Sequence, residues 1–264
     1  MTPPPAPTRV VVDAVRPSVD GGRFPVKRVL GDRVVVQADL LVDGHDHVAG
    51  VVRYRRPGEK SWTEVPLAPV DAPRMSPGQP ANDVWQAEFV VDALGRWEYS
   101  VIAWVDPWSS WAWGLARKRE ANQDLKVDLQ IGAALVEAAA ERAPDPQAAA
   151  LRGIASTLHN TDDAGPRAAL ALAPETAALM KAFPDRRLAT TVAPPLTIVV
   201  DPPRAGFSSW YEMLPRSCGP AGLHGTFKDA EQRLPYIAEM GFDVLYLPPI
   251  HPIGRTFRKG PDNR

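Results

Sequence analysis

One cysteine, Cys218, is all that the 264 residues hold, which excludes an internal disulfide and suits a reducing compartment. Neither sign of charge is in excess. With 30 basic and 31 acidic residues the net charge is −1, which gives no sign of a nucleic-acid partner or of a membrane-surface partner. No apolar run approaches the length of a membrane span, and the opening MTPPPAPTRVVVDAV lacks the charged region and continuous apolar stretch of a secretory signal. A cytoplasmic protein is therefore expected. Metal ligands are thin: the five histidines are scattered, and His45-Asp46-His47 stands in a Gly/Asp-rich turn without further ligands nearby. Gly219, Gly222 and Gly225 lack the spacing of a phosphate-cradling loop. Neither a metal nor a cofactor is expected.

Proline is the residue in excess. Its 29 copies are about twice the ~5% average share and imply many short elements with stiff connections. The chain is long enough for two domains, and 45% hydrophobic residues can form cores. From Thr8 to about Asp106, short apolar runs alternate with turn signals: RVVVDAV, DRVVVQADLLV, VAGVVRYRR, SWTEVPL, VWQAEFVVD and GRWEYSVIAWVD. Within one of them Val84, Gln86 and Glu88 oppose Trp85, Ala87 and Phe89, a period of two that buries one face and wets the other. Strands at this spacing predict an antiparallel β-sandwich of immunoglobulin type. Ala68–Asp83, with four prolines, is expected to be an exposed loop.

From about Arg117 to Phe183 the period lengthens. Leu125, Leu129, Gly132, Val136 and Ala140 recur at helical spacing in an alanine-rich stretch. Breaks at Ala143–Pro146, Asp162–Pro166 and Pro174 predict three or four helices, with Asp145 and Asp163 as N-caps and Pro174 in a first turn. Leu196–Asp201 then reads as a strand that returns to the sandwich, so the helical bundle is an insertion.

Phe207–Leu214 reads as a strand, Thr226–Met240 as a crossover helix and Val244–Leu247 as a second strand buried on both sides. Phe227, Leu234, Ile237 and Ala238 are expected to face the sheet, Gly241 to end the helix, and Pro235 to split it into two turns. A parallel pair joined by a helix cannot bury both of its faces alone. Its neighbours are expected from chain beyond Arg264.

The runs WYEMLPRS, LPYIAEMGFDVLYLPPIHPIG and RTFRKGPDN resemble the opening of the catalytic barrel of the alpha-amylase superfamily, glycoside hydrolase family 13. The PPIHPIGRTFRKG run is the most specific. With GRFPVKR and WVDPWSSWAWG upstream, it resembles the alpha-1,4-glucan:maltose-1-phosphate maltosyltransferases over most of the chain. That resemblance implies a multidomain protein: a sandwich over 1–106 and 190–205, an inserted helical bundle over 107–189 that serves homodimer formation, and the first βαβ unit of a (β/α)8 TIM barrel over 206–264. It implies α-maltose 1-phosphate as donor, an α-1,4-glucan as acceptor, and retaining transfer through an aspartate nucleophile and a glutamate acid–base. Those carboxylates belong to later barrel strands, so no catalytic residue is expected here and this chain alone should be inactive.

Active sites of such barrels lie at the C-terminal ends of the strands, which directs attention to Pro215–Gly225 and Pro248–Arg264. Arg255, Arg258 and Lys259 make the second segment cationic and suited to an anionic donor. An isolated loop lysine is ordinarily solvated surface, but by resemblance Lys259 is the donor-binding lysine, on phosphate or on sugar. Glu212 is expected to pair with a nearby arginine, and His251 either lines the site or caps a turn. Trp104, Trp108, Trp111 and Trp113 form either a core between sandwich and bundle or a sugar-stacking platform, which would require at least two exposed, coplanar rings. Two alternative readings stand beside the transferase. One is another amylase-superfamily glucan hydrolase, which would need no cationic run; the other is a non-catalytic module that binds glucan or dimerises.

Overall fold

The computed structural model describes residues 8–70, 83–160, 163–252 and 254–260. Two compact units make up the chain, one ending at Val200 and the other starting at Asp201. The first unit begins with β1 (Val10–Arg16), β2 (Val26–Val29), β3 (Arg33–Val42), β4 (Val48–Arg55), β5 (Thr63–Pro66), β6 (Ala68–Pro69), β7 (Val84–Val90) and β8 (Gly95–Val105). Five helices follow: α1 (Pro107–Glu120), α2 (Lys126–Arg142), α3 (Gln147–His159), α4 (Ala164–Ala171) and α5 (Pro174–Ala182). The chain then returns as β9 (Thr190–Thr191) and β10 (Leu196–Asp201).

Among the described residues the strands of this unit form two sheets, ordered β1-β3-β7-β6 and β2-β10-β8-β4-β5, with β9 attached to β8. The pairings β1/β3, β3/β7, β4/β5, β4/β8 and β8/β10 are antiparallel. Alternation decides which side chains meet between the sheets. Val34, Val36, Ala38 and Leu40 of β3 and Ala87 and Phe89 of β7 face Val52 of β4, Trp97, Tyr99 and Val101 of β8, and Ile198 of β10 in one core. Tyr54 and Phe89 stack across it, their ring centroids 4.1 Å apart. The buried Tyr99 hydroxyl donates to the Pro17 carbonyl. Of the expected loop at Ala68–Asp83, Ala68–Pro69 instead pairs with β7; positions 71–82 lie outside the described residues.

The helices hold a core of their own, with Leu129, Val136, Leu151 and Leu158 fully buried. The expected stripe Leu125, Leu129, Gly132, Val136 and Ala140 is the buried face. Helix count and caps need correction. The first helix starts ten residues before Arg117, where the Asp106 carboxylate caps it by accepting from the Ser109 N–H (2.9 Å) and Pro107 opens it. Asp163 caps α4 and Pro174 opens α5 as expected, but Pro146, not Asp145, stands at the α3 N-cap.

The second unit contains β11 (Trp210–Glu212), α6 (Phe227–Glu231), α7 (Leu234–Glu239) and β12 (Val244–Tyr246), with β11 and β12 parallel. Both strands are shorter than expected. Pro235 stands in the first turn of α7, so the crossover is split there, and Gly241 follows with a φ of 84°. Ile237 is buried, but Phe227 is 59% and Leu234 43% exposed, Ala238 is exposed, and so is Tyr246 on β12. The expected burial of the crossover face and of both sides of β12 is absent among the described residues, because two strands offer too little sheet to cover them.

Candidate functional site

The parallel pair is fastened at its N-terminal end. The Asp243 carboxylate accepts from the Ser209 N–H (3.0 Å) and from the Ser209 hydroxyl (3.1 Å). The Ser209 carbonyl accepts from the N–H groups of Asp243 (3.0 Å) and Val244 (3.1 Å). The Ser209 backbone bond, then its side-chain bond, and more weakly the nearby Arg204 hold the Asp243 carboxyl below its ordinary range. This fixes the register Trp210 to Val244 and Glu212 to Tyr246. Both strands therefore end flush at one edge, from which the two candidate loops leave.

The loop after β12 carries His251, Arg255, Arg258 and Lys259, all exposed. Among the described residues none of the three cations has an ion-pair partner. Phe257 between them is fully exposed at a φ of 54°, a conformation that costs an L-residue with a side chain about 1–2 kcal/mol. Glu212 lies on the same face of the pair as Trp210 and Tyr246. The expected arginine partner is missing: Glu212 is exposed and unpaired among the described residues. His251 likewise makes no hydrogen bond there.

The loop after β11 closes on two glycines. Its glycines showed no phosphate-loop spacing, yet a Cβ on Gly219 would lie 2.5 Å from the Gly225 nitrogen. The two glycines exist for that close approach. The loop ends on a capping box, in which Thr226 and Asp229 satisfy each other's backbone N–H groups at the start of α6.

In the first unit the tryptophans separate. Trp104 and Trp108 are buried, Trp108 and Trp111 rings lie 4.6 Å apart at 39°, and only Trp113, 50% exposed, meets solvent substantially. The exposed coplanar pair that a sugar platform needs is not formed. A cleft of about 630 Å³ is lined by His47, Glu64, Trp85, Trp104, Lys181 and Arg186, among others. The Arg186 guanidinium covers the Trp104 ring at 4.4 Å and gives Glu64 two hydrogen bonds. Among the described residues no three His, Cys, Asp or Glu side chains are grouped to hold a metal, and no helix is long and apolar enough to cross a membrane.

The fold is thus a largely β domain with a helical cluster, followed by a parallel strand–helix–strand unit with a cationic loop. A protein-family model described as alpha-1,4-glucan:maltose-1-phosphate maltosyltransferase, domain N/S, matches residues 8–202. The chain is 46% identical over 257 residues to the alpha-1,4-glucan:maltose-1-phosphate maltosyltransferase of Chlorobaculum tepidum, covering 97% of this chain and 37% of that protein. Its counterpart in Rhodospirillum rubrum is 43% identical, with 96% and 38% covered. That of Mycolicibacterium smegmatis is 41% identical, with 97% and 40% covered. The chain belongs to the alpha-1,4-glucan:maltose-1-phosphate maltosyltransferase family. It spans well under half the length of these relatives.

Proposed function

We propose that this chain is the N-terminal part of an enzyme that transfers maltosyl units from α-maltose 1-phosphate to the non-reducing end of α-1,4-glucans, releasing phosphate. The observation that carries the reading is the parallel pair β11/β12 with Lys259 on the loop leaving its C-terminal edge, in a chain of this family. In this reading β11, the split crossover and β12 are the first βαβ unit of a (β/α)8 barrel, spanning 206–264, whose C-terminal edge holds the active site. The two-sheet domain is an immunoglobulin-like sandwich, 1–106 and 190–205, with the helical cluster 107–189 inserted.

Lys259 binds the donor, through the phosphate or a sugar hydroxyl; Arg255 and Arg258 add attraction for the anion. The exposed apolar groups of the second unit are then the faces that further barrel strands cover. Transfer with retention takes two carboxylates, a nucleophile that forms a glycosyl-enzyme and an acid–base that protonates the departing phosphate oxygen and then activates the acceptor hydroxyl. Both belong to later strands, so this chain by itself turns over no donor. The whole enzyme works in the cytoplasm as a homodimer. The exposed Val127 (64%) and Ile131 (49%), one turn apart on α2, give the helical cluster an apolar face for that contact.

Phosphate release from maltose 1-phosphate with maltohexaose as acceptor tests this reading. A protein of the relatives' length with this chain at its N-terminus should release phosphate stoichiometrically with glucan extension, and this chain alone should release none. Hydrolysis of neutral glucan without use of the phosphorylated donor would overturn the assignment in favour of a hydrolase.

A further inference from the structure

The flush register of β11 and β12 sends the segment after β11 out of the same edge as the Lys259 loop. That segment is closed upon itself. The Gly225 N–H donates to the Arg216 carbonyl (2.8 Å), the Ser217 N–H to the Leu214 carbonyl (2.9 Å) and the Leu223 N–H to the Pro220 carbonyl (3.0 Å). Pro215 is buried at the root. A Cβ on Gly219 would stand 2.5 Å from the nitrogen and 2.8 Å from the Cα of Gly225, so only a glycine pair permits this closure. The Thr226/Asp229 capping box fixes the returning end.

Arg216 sits at the point of closure. Its backbone carbonyl is engaged by Gly225, whereas its side chain is exposed and has neither hydrogen bond nor ion pair among the described residues. A cation whose backbone is pinned loses less freedom on meeting a ligand than one on an open loop. Glu212, the last residue of β11, reaches the same edge and repels an anion there, so an anion site at this place requires a neighbouring positive charge.

We infer that Arg216 is a second donor-contact residue, supplied by the closed loop after β11 and gripping the phosphate of the donor together with the Lys259 loop. The planar guanidinium takes two phosphate oxygens at once, which a lysine, as a point charge, does not. This rests on the donor-binding reading of the edge. The closed loop is a preformed wall, and specificity for a phosphorylated over a free maltose arises from both loops.

The test uses the full-length enzyme, with Arg216→Gln, Arg216→Lys and Lys259→Ala compared with the unaltered protein. Arg216→Gln should raise the KM for maltose 1-phosphate about tenfold, the loss of one charge-assisted contact, and weaken inhibition by inorganic phosphate by the same factor, leaving the maltohexaose KM unchanged. Arg216→Lys should recover part of both. A donor KM and phosphate inhibition unmoved in Arg216→Gln, with Lys259→Ala impaired, would overturn the role of Arg216 alone. If both variants behave as the unaltered enzyme, the donor-binding reading of the edge fails with it.

Discussion

Gly132 and Gly153 both stand inside helices, yet alanine should act on them with opposite sign. In a helix interior glycine costs about 1 kcal/mol relative to alanine, so Gly153 in α3, where an added Cβ meets nothing within 4 Å, should gain about that amount. At Gly132 in α2 the same atom would fall 2.8 Å from Cε2 of Trp111 and nearer still to Cζ2 and Cη2. The half-buried ring can yield only by giving up its contacts. Its Nε1–H donates to the Asp128 carbonyl (2.9 Å) and its other neighbour is Trp108, 4.6 Å away between centroids. Overpacking costs about 1–3 kcal/mol, and swinging the indole out would forfeit a hydrogen bond of about 1 kcal/mol. So deep an overlap takes the upper part of that range, about 2–3 kcal/mol, and helix propensity returns about 1 kcal/mol, so the balance is a destabilisation of about 1–2 kcal/mol for Gly132→Ala against a gain near 1 kcal/mol for Gly153→Ala. At roughly 2–4 °C per kcal/mol for a protein of this size, thermal unfolding followed by circular dichroism should separate the variants by at least 4 °C. If Gly132→Ala stabilises as much as Gly153→Ala, the packing of Trp111 against α2 is wrong.

Asp243 has a depressed carboxyl pKa, so its contribution is full above the ordinary aspartate value of ~3.9 and fades as pH falls through the lower folded value. Urea unfolding at stepped pH should show Asp243→Asn less stable than the parent at pH 7 and converging with it in acid; a gap independent of pH would contradict the Ser209 account. If the proposed homodimer forms through α2, Val127→Glu with Ile131→Glu in the full-length enzyme should shift sedimentation from dimer to monomer without loss of helical content, and an unchanged dimer would remove α2 as the contact.

Local patterns carried much of the architecture. Alternation in β7 gave buried Ala87 and Phe89 beside an exposed Glu88, and the α2 stripe gave the helical core, because burial on one face imposes the period directly. The start of α1 is equally local, since Asp106-Pro107 is a cap followed by a first-turn proline. Partners distant in sequence were not legible. Nothing near Lys27 or Arg28 announces that β2 lies beside β10, because such an edge is chosen by the whole sheet. The faces of α6 and α7 depend on distant partners in the same way: their period presumes neighbouring strands, and two strands leave Phe227 and Leu234 in solvent. At the candidate site the cationic run could be read from sequence, whereas the closure of Gly219 on Gly225 depends on chain geometry that no spacing rule encodes.

The most direct measurement is a crystal structure of the full-length enzyme bound to maltose 1-phosphate. The Lys259 Nζ should lie within about 3 Å of a donor oxygen, at the C-terminal edge of β11 and β12. A donor seated elsewhere, with Lys259 in bulk solvent, would contradict it.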